Sequence, residues 1–258
     1  MLEFDAKTGA ILEDAYQGSD IVKRRMLNLD ALSPKAGETI ADLGCGPGFM
    51  TMELSRAVGP DGKVIGIDPA ADMRKTASER CAGRDNVRIE SGTVLELPLS
   101  DSSIDKAVSV QVFEYVDDIP SALREVHRVL RPEGLVVIGD MHWDTLVWHS
   151  EDPERMERVI KAWDAHFVER RVPAILPNLM RENGFTVETI TPLTFMDTSF
   201  RADGMAKMLF YMAQQFVLNN NLLEPAEVEA WAEEQLALAE QGKFFFSFTH
   251  IVVTGRKV

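Results

Sequence analysis

The sequence predicts an α/β fold, a parallel sheet with helices on both faces. Three observations lead there. Short apolar runs alternate with helical patterns between residues 39 and 139. A glycine-rich turn over residues 44–48 joins the first run to the first helix. Ile119, Ala122, Leu123, Val126, Val129 and Leu130 recur at helical spacing, the clearest such stripe in the chain.

Taken in order, residues 1–33 read as a polar arm followed by a helix, with Ile21, Val22, Leu29 and Leu32 as its apolar stripe. A Ser-Pro-Lys-Ala-Gly cluster at 33–37 ends it. Residues 39–43 form a short buried strand, and 50–58 a helix stopped by Gly59-Pro60-Asp61-Gly62. A second strand spans 64–67 and ends at Asp68, a helix spans 70–81, and strands follow at 87–90 and 104–110. The helix around Leu123 stops at Arg131-Pro132-Glu133-Gly134, a turn with proline at its second position, and 135–139 is a fifth strand. Beyond it, Met156, Val159, Ile160, Trp163 and Phe167 share one helix face. Residues 186–193 alternate as a strand and 244–253 form a long final one. Between them lie two helical patterns, one with Met205, Met208, Leu209, Met212 and Phe216, the other opened by Pro225.

Composition narrows the function. The 258 residues are 45% hydrophobic and 26% charged, which excludes a largely disordered chain. Forty-one acidic side chains against 27 basic ones leave a charge of −14, which disfavours nucleic acid and acidic membrane surfaces. The start, Met1-Leu-Glu-Phe-Asp-Ala-Lys7, has neither the basic nor the apolar region of a secretory signal. No apolar run approaches the roughly 20 residues that span a bilayer. Cys45 and Cys81 are the only cysteines, so neither a disulfide framework nor a zinc spacing is present. The expectation is a reduced, cytoplasmic, metal-free protein without a membrane span; a homodimer is compatible with it.

The turn Ala41-Asp42-Leu43-Gly44-Cys45-Gly46-Pro47-Gly48 carries the chemistry. Glycines let backbone approach a ligand closely, and the free N–H groups of the following helix favour a negative group. Its spacing is G-x-G-x-G, with Phe at position 49, not the G-x-G-x-x-G of dinucleotide sites. Asp42 would repel a pyrophosphate and suits an ammonium. Asp68 closes the second strand, where a carboxylate accepts hydrogen bonds from both ribose hydroxyls. Together they fit a zwitterionic nucleoside better than a diphosphate.

On these residues the sequence resembles the class I S-adenosylmethionine-dependent methyltransferases. Asp42-Leu-Gly-Cys-Gly-Pro-Gly48 is similar to their first motif, and Val64-Ile-Gly-Ile-Asp-Pro69 to the second-strand motif. Gly92-Thr-Val-Leu-Glu-Leu-Pro98 with Ser102-Ser-Ile-Asp105 resembles G-D-A-x-x-L-P…N-S-F-D. Residues 122–134 resemble the helix-and-turn signature of the ubiquinone/menaquinone-methyltransferase-like branch. The resemblance is strong over about 38–140. It implies a Rossmann-like, seven-stranded, mainly parallel sheet whose last strand is antiparallel, with a helical lid inserted between strands six and seven. The corresponding division is an N-terminal arm and helix at 1–33, a core at 34–194 and 244–258, and a lid at 195–243.

The resemblance also implies S-adenosyl-L-methionine as cofactor and a small-molecule acceptor. Gly44, Gly46 and Gly48 would run along the methionine moiety, Asp42 would face its ammonium, and Asp68 would hold the ribose. Pro69 and Met73 would pack on the adenine, Gln111 would contact the methionine part, and Tyr16 and Arg25 would close over the cofactor. The alternative for the last two is a surface tyrosine and a solvated arginine. The family's aspartate at position 93 is here Thr93, whose hydroxyl is a weaker acceptor for the adenine amino group, while the Val94 N–H can still read the ring. A second departure is Glu133, where the family usually has glycine.

Methyl transfer is an in-line displacement, and an oxygen or thiol acceptor needs a base. Residues 140–149 hold two histidines, two acids and two tryptophans, which makes His142, His149, Trp143 and Trp148 candidates for base or substrate contact; the alternative is a loop whose aromatics cover the sheet edge. His166, one residue off an apolar stripe, is a further candidate base, and Tyr115 a candidate pocket wall. His127 and His250 read as structural. Met208, Tyr211 and Met212 would make a pliable apolar acceptor pocket, or simply the packing of the lid. Two rivals stay open: an enzyme of this fold with drifted acceptor chemistry, and a non-catalytic cofactor-binding protein. The glycine spacing disfavours a nicotinamide dehydrogenase.

Overall fold

The chain's first strand, β1 (Thr39–Leu43), is buried from its second residue onward, because it lies inside a sheet covered on both faces. The structure, a computed structural model, describes residues 16–258. In order, the elements are α1 (Ser19–Leu32), β1, α2 (Phe49–Val58), β2 (Lys63–Asp68), α3 (Ala71–Arg80), β3 (Val87–Ser91), β4 (Ile104–Val110), α4 (Ile119–Val129) and β5 (Leu130–Met141). They continue with β6 (Val147–Trp148), α5 (Pro153–Asp164), α6 (Val172–Glu182), β7 (Phe185–Asp197), α7 (Met205–Asn219), α8 (Pro225–Glu240) and β8 (Phe246–Lys257). Among the described residues no helix is long and apolar enough to cross a membrane.

The chain divides into two compact units. The sheet unit comprises residues 25–141, 171–192 and 250–258. Its strand order is β3-β2-β1-β4-β5-β8, with β7 also paired to β8. β3, β2, β1, β4 and β5 are parallel and β8 runs antiparallel to β5. Thr189 bonds Thr254, and further along Thr194 bonds Thr249, so β7 and β8 also run in opposite directions. The expected mainly parallel sheet with an antiparallel last strand is therefore observed. The two-residue β6, too short to read from sequence, adds an eighth strand by pairing with the start of β8.

One side of this sheet packs Leu43, Ile67, Ala107 and Ile138 with the stripe of α4 and with Leu176 and Met180 of α6. The other packs Ile40, Val64, Val108 and Val137 with Leu32 of α1 and Leu54 and Val58 of α2. Asp118 caps α4 by accepting the Ser121 N–H at 2.9 Å, and proline stands in the first turn, which fixes that helix where its spacing predicts it. Near the start of β5, Glu133 has φ 62, in the left-handed region that costs a non-glycine residue about 1–2 kcal/mol.

The second unit comprises residues 16–24, 142–170 and 193–249 of the described chain. The helical pair α7 and α8 lies within the stretch 195–243 expected as a lid. Residues 142–170 join it, because Trp143 packs against Trp163, Phe167 and Phe248 with centroids 4.3–6.1 Å away. A second aromatic group, Trp148, Phe210, Trp231 and Phe246, lies in the same unit. Asp20 joins α1 to α7 by accepting the Met205 N–H at 3.0 Å and the Arg201 guanidinium at 2.6 Å.

Candidate cofactor site and the residues expected to serve the acceptor

The site follows from strand register. Leu43 pairs with Ile67 on one side and with Ser109 on the other, so the carboxyl ends of β1, β2 and β4 stand side by side. The residues that follow these strands, Gly44–Gly48, Asp68–Pro69 and Gln111–Val112, are thereby gathered at one edge. In open parallel sheets this edge is where ligands bind.

Two glycines of the turn are dictated by sterics. Gly44 has φ 69, and a Cβ there would stand 2.3 Å from Val112 Cγ2. Gly48, the residue before α2, has φ 85 and would place a Cβ 2.9 Å from Ala77 Cα. Gly46 differs: at φ 51, a Cβ would meet nothing within 4 Å, so the front of the turn is open. Gly46 donates its N–H to Asp68 Oδ2 at 2.9 Å, and Asp68 Oδ1 accepts the Ala70 N–H at 2.8 Å. The Asp68 carboxylate is therefore aimed across the open turn with both oxygens hydrogen-bonded.

Asp42 is fully buried behind the turn, and Thr51 Oγ1 donates to its Oδ2 at 2.6 Å. Burial pushes its carboxyl up to about 7, the Thr51 bond pulls it down, and nearby Asp68 pushes it up further. Such a carboxyl is matched by a cation arriving in front of the turn. Arg25 on α1 lies over the Phe49 ring, 5.1 Å from its centroid, at the amino end of α2. Burial holds its guanidinium below the usual range. Gln111 has φ 56, donates its N–H to the Gly139 carbonyl at 2.8 Å and reaches Glu114 with its amide. Pro69 is exposed and Met73 partly exposed on the α3 side of Asp68. Thr93 is exposed in a tight turn, where its hydroxyl accepts the Leu95 N–H at 3.3 Å, and the Val94 side chain is buried in the core.

These residues fit S-adenosylmethionine: a buried acid for the ammonium, an open glycine turn for the methionine chain, and a carboxylate at the ribose position. When bound, the cofactor supplies an electrophilic sulfonium methyl. The chain's own part is to hold that group in one orientation. Sequence reasoning missed Thr51, whose hydroxyl is the partner of Asp42. Its place three residues after Gly48 is a usable signal, since it returns a hydroxyl to the amino end of α2 near the end of β1.

The residues expected to serve the acceptor, and Tyr16 of the expected cofactor cover, stand on several elements. Tyr115 is 45% exposed in a short 3-10 turn after β4, in the sheet unit. Tyr16, at the start of the described chain, is partly buried and belongs to the helical unit. Trp143 and Trp148 are both buried and serve as aromatic core of that unit. His166 packs at a tilt against Trp163 and Phe167, with centroids 3.9 and 3.7 Å away, and its Nδ1 bonds the Trp163 carbonyl. Burial lowers its imidazole to about 4. His142 is partly buried; its main chain pairs with Thr249 and its carbonyl accepts the Thr145 hydroxyl at 2.7 Å. His149 is exposed on the rim of a cleft of about 800 Å³ that Trp148, Met156, Ile160, Lys161 and Phe245 also line. On α7, Met208 and Met212 are partly exposed and Tyr211 is 40% exposed. Among the described residues no group of three or more His, Cys, Asp or Glu is arranged to hold a metal.

Residues 41–138 match the family model described as a methyltransferase domain. An uncharacterised 37.1 kDa protein of a transposon in Streptomyces fradiae is 40% identical over 171 residues, 64% of this chain and 48% of that protein. The 2-phytyl-1,4-naphthoquinone methyltransferase of a Nostoc strain is 38% identical over 111 residues, 42% of this chain and 48% of that enzyme. The chain thus spans about half the length of these curated relatives. Among solved structures, the YcgJ protein of Bacillus subtilis superposes with a TM-score of 0.64 at 21% identity, over 91% of this chain and 98% of that one. Over residues 41–138, then, the chain carries a methyltransferase domain.

Proposed function

We propose that this protein transfers a methyl group from S-adenosylmethionine to a small organic acceptor through an oxygen, nitrogen or sulfur nucleophile. The observation that carries this reading is the pairing of acids around the open turn. Asp42 lies behind it with a carboxyl near neutrality, and Asp68 lies across it on the Gly46 N–H. A diphosphate would meet two acids there; an ammonium and a ribose would meet matching partners.

Rate enhancement would come mainly from holding sulfur, methyl and nucleophile in line, because the sulfonium is already activated. The relative that acts on a naphthoquinone matches only 42% of this chain, so a quinone is one acceptor to test, not the assignment. Met208, Tyr211 and Met212 are proposed as acceptor contacts, supported by their partial exposure on α7. His142 and His149 are the proposed bases; His166, held near 4 by burial among aromatic rings, is a weak one.

The test is transfer of labelled methyl from S-adenosylmethionine to a panel of phenols, hydroquinones, amines and thiols. Each labelled product should be matched by one adenosylhomocysteine. Tight cofactor binding with no labelled product from any acceptor would leave a cofactor-binding protein instead.

A further inference from the structure

Helix α3 lies directly against the glycine turn. Its residue Ala77 occupies the space that a side chain at position 48 would need. One turn later, Arg80 Nε donates to the Pro47 carbonyl at 2.7 Å, and the Arg80 guanidinium lies on the Phe49 ring, 3.6 Å from its centroid. Pro47 and Phe49 flank Gly48, so one side chain touches both neighbours of the turn's last glycine.

We propose that Arg80 is a positioning residue for the cofactor: by holding the Pro47 carbonyl and covering Phe49, it keeps the turn 44–48 in its binding shape. The proposal rests on the cofactor reading given above. The physical need is plain. Gly44, Gly46 and Gly48 all have positive φ, and a chain with three glycines in five residues has many other conformations open to it. Inside the turn, the Gly48 N–H to Cys45 carbonyl bond of 3.0 Å and the Gly46 to Asp68 bond of 2.9 Å restrain it. The Asp68 bond is one that a ribose would compete for. The Arg80 clamp holds the main chain from the α3 side and leaves the open front at Gly46 free, so it can persist when the cofactor is bound. Fixing the loop before binding removes an ordering cost from the binding step.

Arg80→Met keeps a long stem on Phe49 and removes the donor; Arg80→Lys keeps a donor and loses the planar face. Adenosylhomocysteine is titrated calorimetrically into wild type and both variants, and melting and steady-state kinetics are measured alongside. Arg80→Met should weaken binding about tenfold, the scale of one lost charged hydrogen bond, with Arg80→Lys between it and wild type. The melting temperature should stay within about 2 °C of wild type, since the site is at the surface. KM for the cofactor should rise with Kd while kcat at saturating cofactor falls less than twofold. Folded Arg80→Met with wild-type affinity would overturn the proposal, as would a lowered melting temperature with unchanged Kd. Should Arg80→Met fail to fold, wild-type affinity in folded Arg80→Lys overturns it equally. Absence of binding by wild type would remove the cofactor reading itself; wild-type binding with an indifferent Arg80 would remove only this inference.

Discussion

Thr51 donates its hydroxyl to Asp42 across 2.6 Å, and both side chains are buried. The bond works against desolvation, which has raised the Asp42 carboxyl to about 7. Asp42 must be ionised to face an ammonium, so adenosylhomocysteine affinity should rise with pH through the range 5.5–7 and then level off. Thr51→Val removes the stabilising hydroxyl and should move that rise to higher pH, and Asp42→Asn should abolish it. Calorimetry at four pH values distinguishes the three. In the free protein the sign is opposite. A carboxyl whose folded pKa is raised contributes stability that is full below its ordinary value near 4 and is lost as pH climbs toward 7.

Gly44→Ala meets two penalties, a φ of 69 and a Cβ 2.3 Å from Val112 Cγ2. It should destabilise the protein by about 2–4 kcal/mol in denaturant unfolding. Val112→Ala clears the clash but not the dihedral, so the double variant should recover part of the loss relative to additivity. Strict additivity would show that Val112 is not what excludes a side chain at 44.

Glu133→Gly should stabilise the protein by about 0.5–1 kcal/mol, because glycine accepts φ 62 without strain. The Glu133 carbonyl keeps its bond from Arg256 at 2.8 Å in either case. A lower melting temperature in the variant would mean that the carboxylate matters more than the backbone.

His166 is held neutral by burial, at about 4. Between pH 4 and its ordinary 6.5 the unfolded chain binds a proton that the folded one does not, so stability should fall as pH drops through this window. His166→Phe should lose that part of the acid sensitivity. Melting temperatures from pH 4.5 to 7 measure it, and parallel curves would contradict it.

The sequence was most readable where one local rule decided the outcome. The glycine turn, Asp68 at the end of β2 and the stripe of α4 all stand where spacing placed them. Helix α6 was missed, because Pro173 and Pro177 punctuate it, yet it forms by packing Leu176 and Met180 into the core. The cluster at residues 140–149 was less readable. Aromatic density reads alike for a ligand wall and a core, and here Trp143 and Trp148 are core, which only their tertiary partners Phe248 and Trp231 decide. Thr51 and Arg80 act on a carboxylate and a carbonyl 9 and 33 residues away in sequence, contacts that no periodicity encodes.

The cofactor assignment stands on Asp68 as ribose partner, and its most direct test is calorimetric titration of wild type and Asp68→Ala with adenosylhomocysteine. The account predicts saturable one-to-one binding by wild type, weakened in the variant by about 1.5–3 kcal/mol, the range for hydrogen bonds to a charged group. Equal affinity of the two proteins, or a wild type that ignores adenosylhomocysteine and binds a nicotinamide dinucleotide, would contradict it.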